Sequence, residues 1–189
     1  MQEVKVHKPF IKHLLQFLMR SLWVLGIRWI SALLLAVFYP LFYVVFSPPT
    51  LWVSYGILQF FLEATLTGTT ILAGGKTLLF VPACTAASAY LLLALLILLT
   101  RGISFKTGVK LFLLGSLLIF AANIVRIQFL FYLLFTVGKN YFETLHLLIW
   151  KVLSSAYVAV VWIFLTWKFK LKETPLVSDF QYILKIKKY

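Results

Sequence analysis

V-P-A-C-T-A-A-S-A-Y-L-L-L-A-L-L-I-L-L-T-R, residues 81–101, sets a thiol among small residues, continues as an unbroken apolar run and stops at an arginine. An apolar run closed by a basic residue reads as a membrane-crossing helix whose cytoplasmic end is the charged one. The crossing is predicted over Leu78 to Thr100. Composition agrees, since 62% of the 189 residues are hydrophobic and 18 are phenylalanine, as in integral membrane proteins. The net charge of +13 comes from lysines and arginines beside apolar runs. They read as membrane anchors, and no nucleic-acid partner is expected.

Working outward, a second crossing is predicted from Val109 to Ile127, making a helical hairpin whose turn holds Arg101, Lys106 and Lys110. Upstream, a basic arm precedes an apolar run from Leu22 to Phe46, which Ser47-Pro48-Pro49 is expected to stop. A last crossing, Leu145 to Trp167, ends in Lys168, Lys170 and Lys172. Residues 51–73 are apolar but interrupted by Glu63, threonines and glycines, and read either as a further crossing or as an outer hairpin. Charge decides for the outer element. With the arm, Arg28 close to the start of the first crossing, the 101–110 turn and the tail all on the cytoplasmic side, 14 of the 18 basic residues lie inside, provided that an even number of crossings separates arm from turn. The expected fold is therefore an all-α polytopic bundle of four principal crossings plus an outer re-entrant or interfacial helical element. Residues 1–21 form a cytoplasmic arm, 22–167 a transmembrane catalytic domain and 168–189 a cytoplasmic tail. The location is the plasma (inner) membrane.

Helix rise then compares depths. Cys84 lies roughly 25 Å from Arg101 and Arg126 roughly 24 Å from Lys110, so both reach the outer level. His146, roughly 33 Å before Lys168, falls at the outer mouth of the last crossing. A thiol, a guanidinium and an imidazole thus share one depth. Each also has a plainer reading: a lone cysteine packs as a small hydrophobe, an arginine near a membrane face snorkels, and an interfacial histidine does nothing. Against these stand the proline-led, small-residue setting of Cys84, which leaves room for a substrate, and the cost of an intramembrane arginine. A helix N-terminus and a nearby cation favour the thiolate. Arg126 has the planar fork that steadies an oxyanion, and His146 is suited to move the proton. Asn123, one turn before Arg126, can orient the guanidinium or donate to substrate. Glu143 can orient His146, and Glu63 is an outer carboxylate for a basic segment or for Arg126.

No metal or cofactor is expected. There is no H-E-x-x-H, and Cys84 is the single cysteine. Gly74-Gly75-Lys76-Thr77 fails the phosphate-loop pattern because Thr70 stands where its first glycine belongs. The tryptophans suit interfacial belts.

The segments A-C-T-A-A-S-A-Y around Cys84, A-N-I-V-R-I around Arg126 and L-H-L-L around His146 make the chain resemble the exosortase/archaeosortase family of membrane cysteine transpeptidases over about residues 50–167. The resemblance is to a compact bacterial member, since larger exosortases have more crossings before the cysteine. It implies an all-helical enzyme that cleaves exported proteins at a C-terminal sorting signal built of a short motif, a transmembrane helix and a basic tail. It also implies Cys84 as nucleophile, Arg126 as transition-state stabiliser and His146 as the third catalytic residue. Partners would be the exported substrate, membrane lipid and an amine-bearing acceptor. The alternative is a non-enzymatic small transporter or assembly scaffold in which Arg126 binds an anion or lipid headgroup.

Overall fold

A computed structural model describes residues 8–136, 154–171 and 175, with side-chain surroundings for 23–136, 156–171 and 175. Helix α1 (Lys8–Val37) meets helix α2 (Tyr39–Gln59) at Phe38. Three short strands follow, β1 (Ala64–Thr67), β2 (Thr70–Ala73) and β3 (Lys76–Leu79). A 3-10 turn (Pro82–Thr85) leads into α3 (Ala87–Leu99), and α4 (Phe105–Thr136) and α5 (Ser154–Lys168) complete the described helices.

The expected stop at Ser47-Pro48-Pro49 is wrong, because both prolines lie inside α2. The break falls earlier, at Phe38, where Pro40 sits in the first turn of α2 and its missing N–H costs nothing. Inside α2 the two prolines remove donors, and the hydroxyl of Thr50 donates to the carbonyl of Phe46 at 2.6 Å. That bond reinforces the turn after the prolines, whereas the carbonyls they leave without an intrahelical donor are those of Val44 and Val45.

Three contacts fix how the helices run. The α1–α2 rod lies antiparallel to α3: Arg28 Nε donates to Leu98 O at the end of α3 (3.1 Å), and the Phe46 ring stacks on Tyr90 near its start. Helix α2 runs parallel to α4, with Phe42 against Phe112 low down and Gln128 donating to Ser54 O further along. Helix α5 runs back down α4, where Tyr157 donates to Leu118 O at 2.9 Å and Leu165 closes on Gly115. Helix α3 is the central one, packed on α1, α2, α4 and α5. Tyr90, Leu93, Leu111 and Leu165 are fully buried around it.

The expected outer helical element is instead an antiparallel sheet ordered β1-β2-β3, so the chain is mostly helical but not all-α. The physical reason is visible in the sequence. Residues alternate between faces, with Ile71, Ala73, Leu78 and Phe80 buried and Leu72 and Leu79 exposed, which is the period of a strand. Gly74 and Gly75 connect Ala73 to Lys76, and both have positive φ (53° and 72°), the requirement of the tight turn whose twist suits a hairpin. The inner face packs on Leu51 and Leu58 of α2 and Ile127 of α4. Lys76 seals the corner, donating to Leu134 O at 2.7 Å.

Among the described residues, α2 and α4 are long and apolar enough to cross a membrane, and α3 is a shorter apolar helix. Large apolar side chains cover the outside as well as the core: Leu33, Leu41, Val44, Leu117, Val125 and Ile163 are exposed. Exposed large apolar side chains in such number mark a membrane or interaction face.

Candidate functional site

Cys84 is placed by the sheet. Leaving β3, Phe80 donates its N–H to Thr69 O (2.9 Å) and buries its ring, so Val81 enters extended and Pro82 starts the 3-10 turn at a fixed place. Within that turn the N–H of Cys84 donates to Val81 O at 2.8 Å. Ala86 then adopts a left-handed backbone (φ 56°, ψ 31°) before α3 begins at Ala87. A non-glycine residue in this region is uncommon, and such strain concentrates at functional sites. The cysteine therefore precedes the helix rather than sitting in its first turn.

Helix α4 reaches the same turn from the other side. Asn123 Nδ2 donates to the carbonyl of Cys84 at 2.8 Å, and Arg126 Nη2 donates to the carbonyls of Ala83 at 3.0 Å and of Cys84 at 3.5 Å. The two residues are three apart and share a helix face, which is why one turn can receive both. Two of the groups expected to meet, the thiol-bearing residue and the guanidinium, are thus brought together, with Asn123 beside them. His146 and Glu143 lie outside the described residues.

The thiol is half-buried against Leu51, Ile71, Phe80 and their neighbours. Burial pushes its pKa above the ordinary thiol value, opposed by the backbone hydrogen bond at Val81 and by the positive charge of Arg126. Desolvation outweighs the two effects that favour a thiolate, so in this state Cys84 is a thiol at neutral pH. Proton removal then has to come from a base or from a change in surroundings when substrate binds.

Beside the turn, between α3, α4 and α5, is a small, partly open pocket lined by Ala86, Ala89, Ala122, Asn123, Arg126 and Tyr157. It is mostly apolar, and three of those residues are alanines. Glu63 is exposed at the start of the sheet and lines a different cleft, with Gln59, Thr65 and Gly75. Lys76, the cation of the glycine pair, is occupied at the end of α4.

The sequence reading expected room for a substrate beside Cys84 but did not place a pocket between α3, α4 and α5. The repeated alanines of A-C-T-A-A-S-A carry its signal, because small side chains leave space, whereas nothing local marks Tyr157 as a wall residue. Nor did it foresee that Asn123 and Arg126 would bind the backbone of the cysteine turn. Among the described residues no group of three or more His, Cys, Asp or Glu could hold a metal ion. Comparison with protein-family models, with curated proteins and with solved structures finds no match for the chain.

Proposed function

We propose that this chain is a membrane cysteine transpeptidase or peptidase of exosortase type, acting on the C-terminal sorting signals of exported proteins. The observation that carries the reading is the convergence of Asn123 and Arg126 on the turn that bears Cys84, across some forty residues of sequence. An asparagine and an arginine aimed at a cysteine's own backbone, next to a strained residue and a pocket, are more than packing requires. In this reading α1 with α2, α3, α4 and α5 make four crossings, both termini are cytoplasmic, and the sheet and Cys84 face the extracytoplasmic side. The charge distribution and the alternating helix directions support that orientation.

The reaction follows from the residues. A proton leaves Cys84 Sγ for a base, the role given to His146, and the thiolate forms a bond to the scissile peptide carbonyl carbon. The carbonyl oxygen takes the negative charge, and the guanidinium of Arg126 stabilises it in a water-poor site. Collapse of the intermediate breaks the C–N bond, and the base returns its proton to the departing amine of the C-terminal anchor. The thioester on Cys84 is then attacked by an amine-bearing acceptor, which regenerates the thiol by transfer, or by water, which does so by hydrolysis.

One observation favours the rival reading of a transporter or assembly scaffold. Arg126 already donates to Ala83 and Cys84 carbonyls, as a purely structural clamp would. The two separate on a single experiment: expression with an exported protein carrying a sorting signal, followed by its processing. A catalyst loses processing with Cys84→Ala and keeps the membrane-inserted fold. A scaffold is indifferent to that change.

A further inference from the structure

The geometry points to the pocket between α3, α4 and α5 as a recognition site for one peptide unit bearing an apolar side chain. This rests on the cysteine transpeptidase reading for its purpose, since it names what the substrate presents beside the scissile bond. It rests on the structure for its chemistry. Asn123 is only 4% exposed and lines the pocket, and its Nδ2 is committed to the Cys84 carbonyl. A carbonyl oxygen only accepts, so the amide orientation is fixed by that bond and Oδ1 must face elsewhere. Oδ1 is buried and has no hydrogen-bond partner among the described residues.

A buried acceptor left without a donor is costly, and a ligand that supplies an N–H recovers that cost. Arg126 on the same wall brings positive charge, which suits a carbonyl or a developing oxyanion. Donor and acceptor next to each other, N–H and C=O, are what a peptide group offers. The remaining wall, Ala86, Ala89, Ala122 and Ile119, is small and apolar and accepts an aliphatic side chain. A lipid tail would fill the apolar space but carries no donor for Oδ1. A phosphate would meet Arg126 but gain nothing from the alanines.

The position relative to Cys84 supports the assignment. Asn123 and Arg126 belong both to the pocket wall and to the clamp on the cysteine turn. A peptide seated there lies next to the backbone of the cysteine turn, although Cys84 itself does not line the pocket.

The test uses the full chain in nanodiscs, with N-acetyl-L-leucine methylamide as probe and the melting temperature and saturation-transfer NMR as readouts. Binding is expected in the wild type and equally in Cys84→Ala, because the pocket does not need the thiol. The probe methylated on both amide nitrogens, which keeps the side chain and loses the donors, should bind about tenfold more weakly. Ala122→Phe should abolish binding by filling the pocket, with Leu113→Phe, on the exposed side of α4, as the control that retains it. Equal binding of the methylated probe, or a hydrocarbon such as octane stabilising the protein as well as the amide does, overturns the inference in favour of a lipid crevice. Binding that survives Ala122→Phe overturns it as well. Amide binding without any acyl-enzyme on Cys84 would keep the pocket assignment and defeat the catalytic reading, so the two fail separately.

Discussion

Helix α4 makes two unlike contacts with α3 that lie roughly 12 Å apart along its axis. At Gly115 the helices are in the closest contact available: an added Cβ would come within 2.6 Å of Leu93 and 3.0 Å of Leu165, and both leucines are fully buried. At Asn123 and Arg126 the same helix stands off from α3, leaves a pocket, and uses polar side chains to hold the backbone of a neighbouring turn. One region is dry and filled, the other open and hydrogen-bonded. The contrast teaches that the tight waist bears the stability while the upper end is free to carry strain at Ala86 and space beside it. It also predicts that substitutions at the two levels fall into different classes.

The largest effect is expected at the thiol. Cys84→Ala should lower processing of a sorting-signal substrate by at least about 10³-fold while circular dichroism and melting temperature stay near wild type. A fall in stability of the size seen for a packing residue would merge the two regions and break the comparison. Next is Arg126→Lys, which keeps the charge but loses the planar fork; turnover should fall by about 100-fold, the scale of a lost oxyanion donor. His146→Ala should show a different profile between pH 6 and 9. Its residual activity should rise with pH as Cys84 ionises unaided, steeply only above the ordinary thiol range, because burial holds the pKa of that thiol up. Parallel pH profiles for the two variants would contradict the division of labour.

At the waist the signs reverse. Gly115→Val should destabilise by ~1–3 kcal/mol through overpacking against Leu93 and Leu165, and leave turnover per folded molecule unchanged. The smallest expected effect is Ala86→Gly. Relief of the left-handed backbone and the added freedom of the unfolded chain nearly cancel, so stability should move by less than about 1 kcal/mol. Turnover measured beside wild type should fall while stability holds, if the strained turn serves the chemistry; unchanged turnover would make the turn purely structural.

The helices were legible in the sequence, whereas the close contact at Gly115 that sets up this contrast was not. Hydropathy and basic flanks located the helices that became α3, α4 and α5, and depth counting from Arg101 and Lys110 put Cys84 and Arg126 at one level, where a hydrogen bond now joins their segments. Depth could not give lateral position, which depends on which faces pack. Residues 51–73 were read as one outer helical element and Leu78 as the start of a crossing, whereas 51–59 continue α2 and 64–79 form the sheet; Gly74-Gly75 flanked by alternating residues is the hairpin signal. Pro48-Pro49 was taken as a stop on a rule that holds in water better than in apolar surroundings, where helices carry proline more readily. Asn123 was recognised as polar and well placed, but its partner, a backbone carbonyl 39 residues away, leaves no trace in local pattern.

The most direct test of the account looks for the covalent intermediate. Membranes containing the wild-type chain and an exported protein with a sorting signal, quenched in acid and digested, should yield by mass spectrometry a hydroxylamine-sensitive peptidyl thioester on Cys84, enriched when acceptor amines are depleted. Processing that continues while Cys84 carries no peptidyl adduct, or carries only a fatty acyl group, would contradict it.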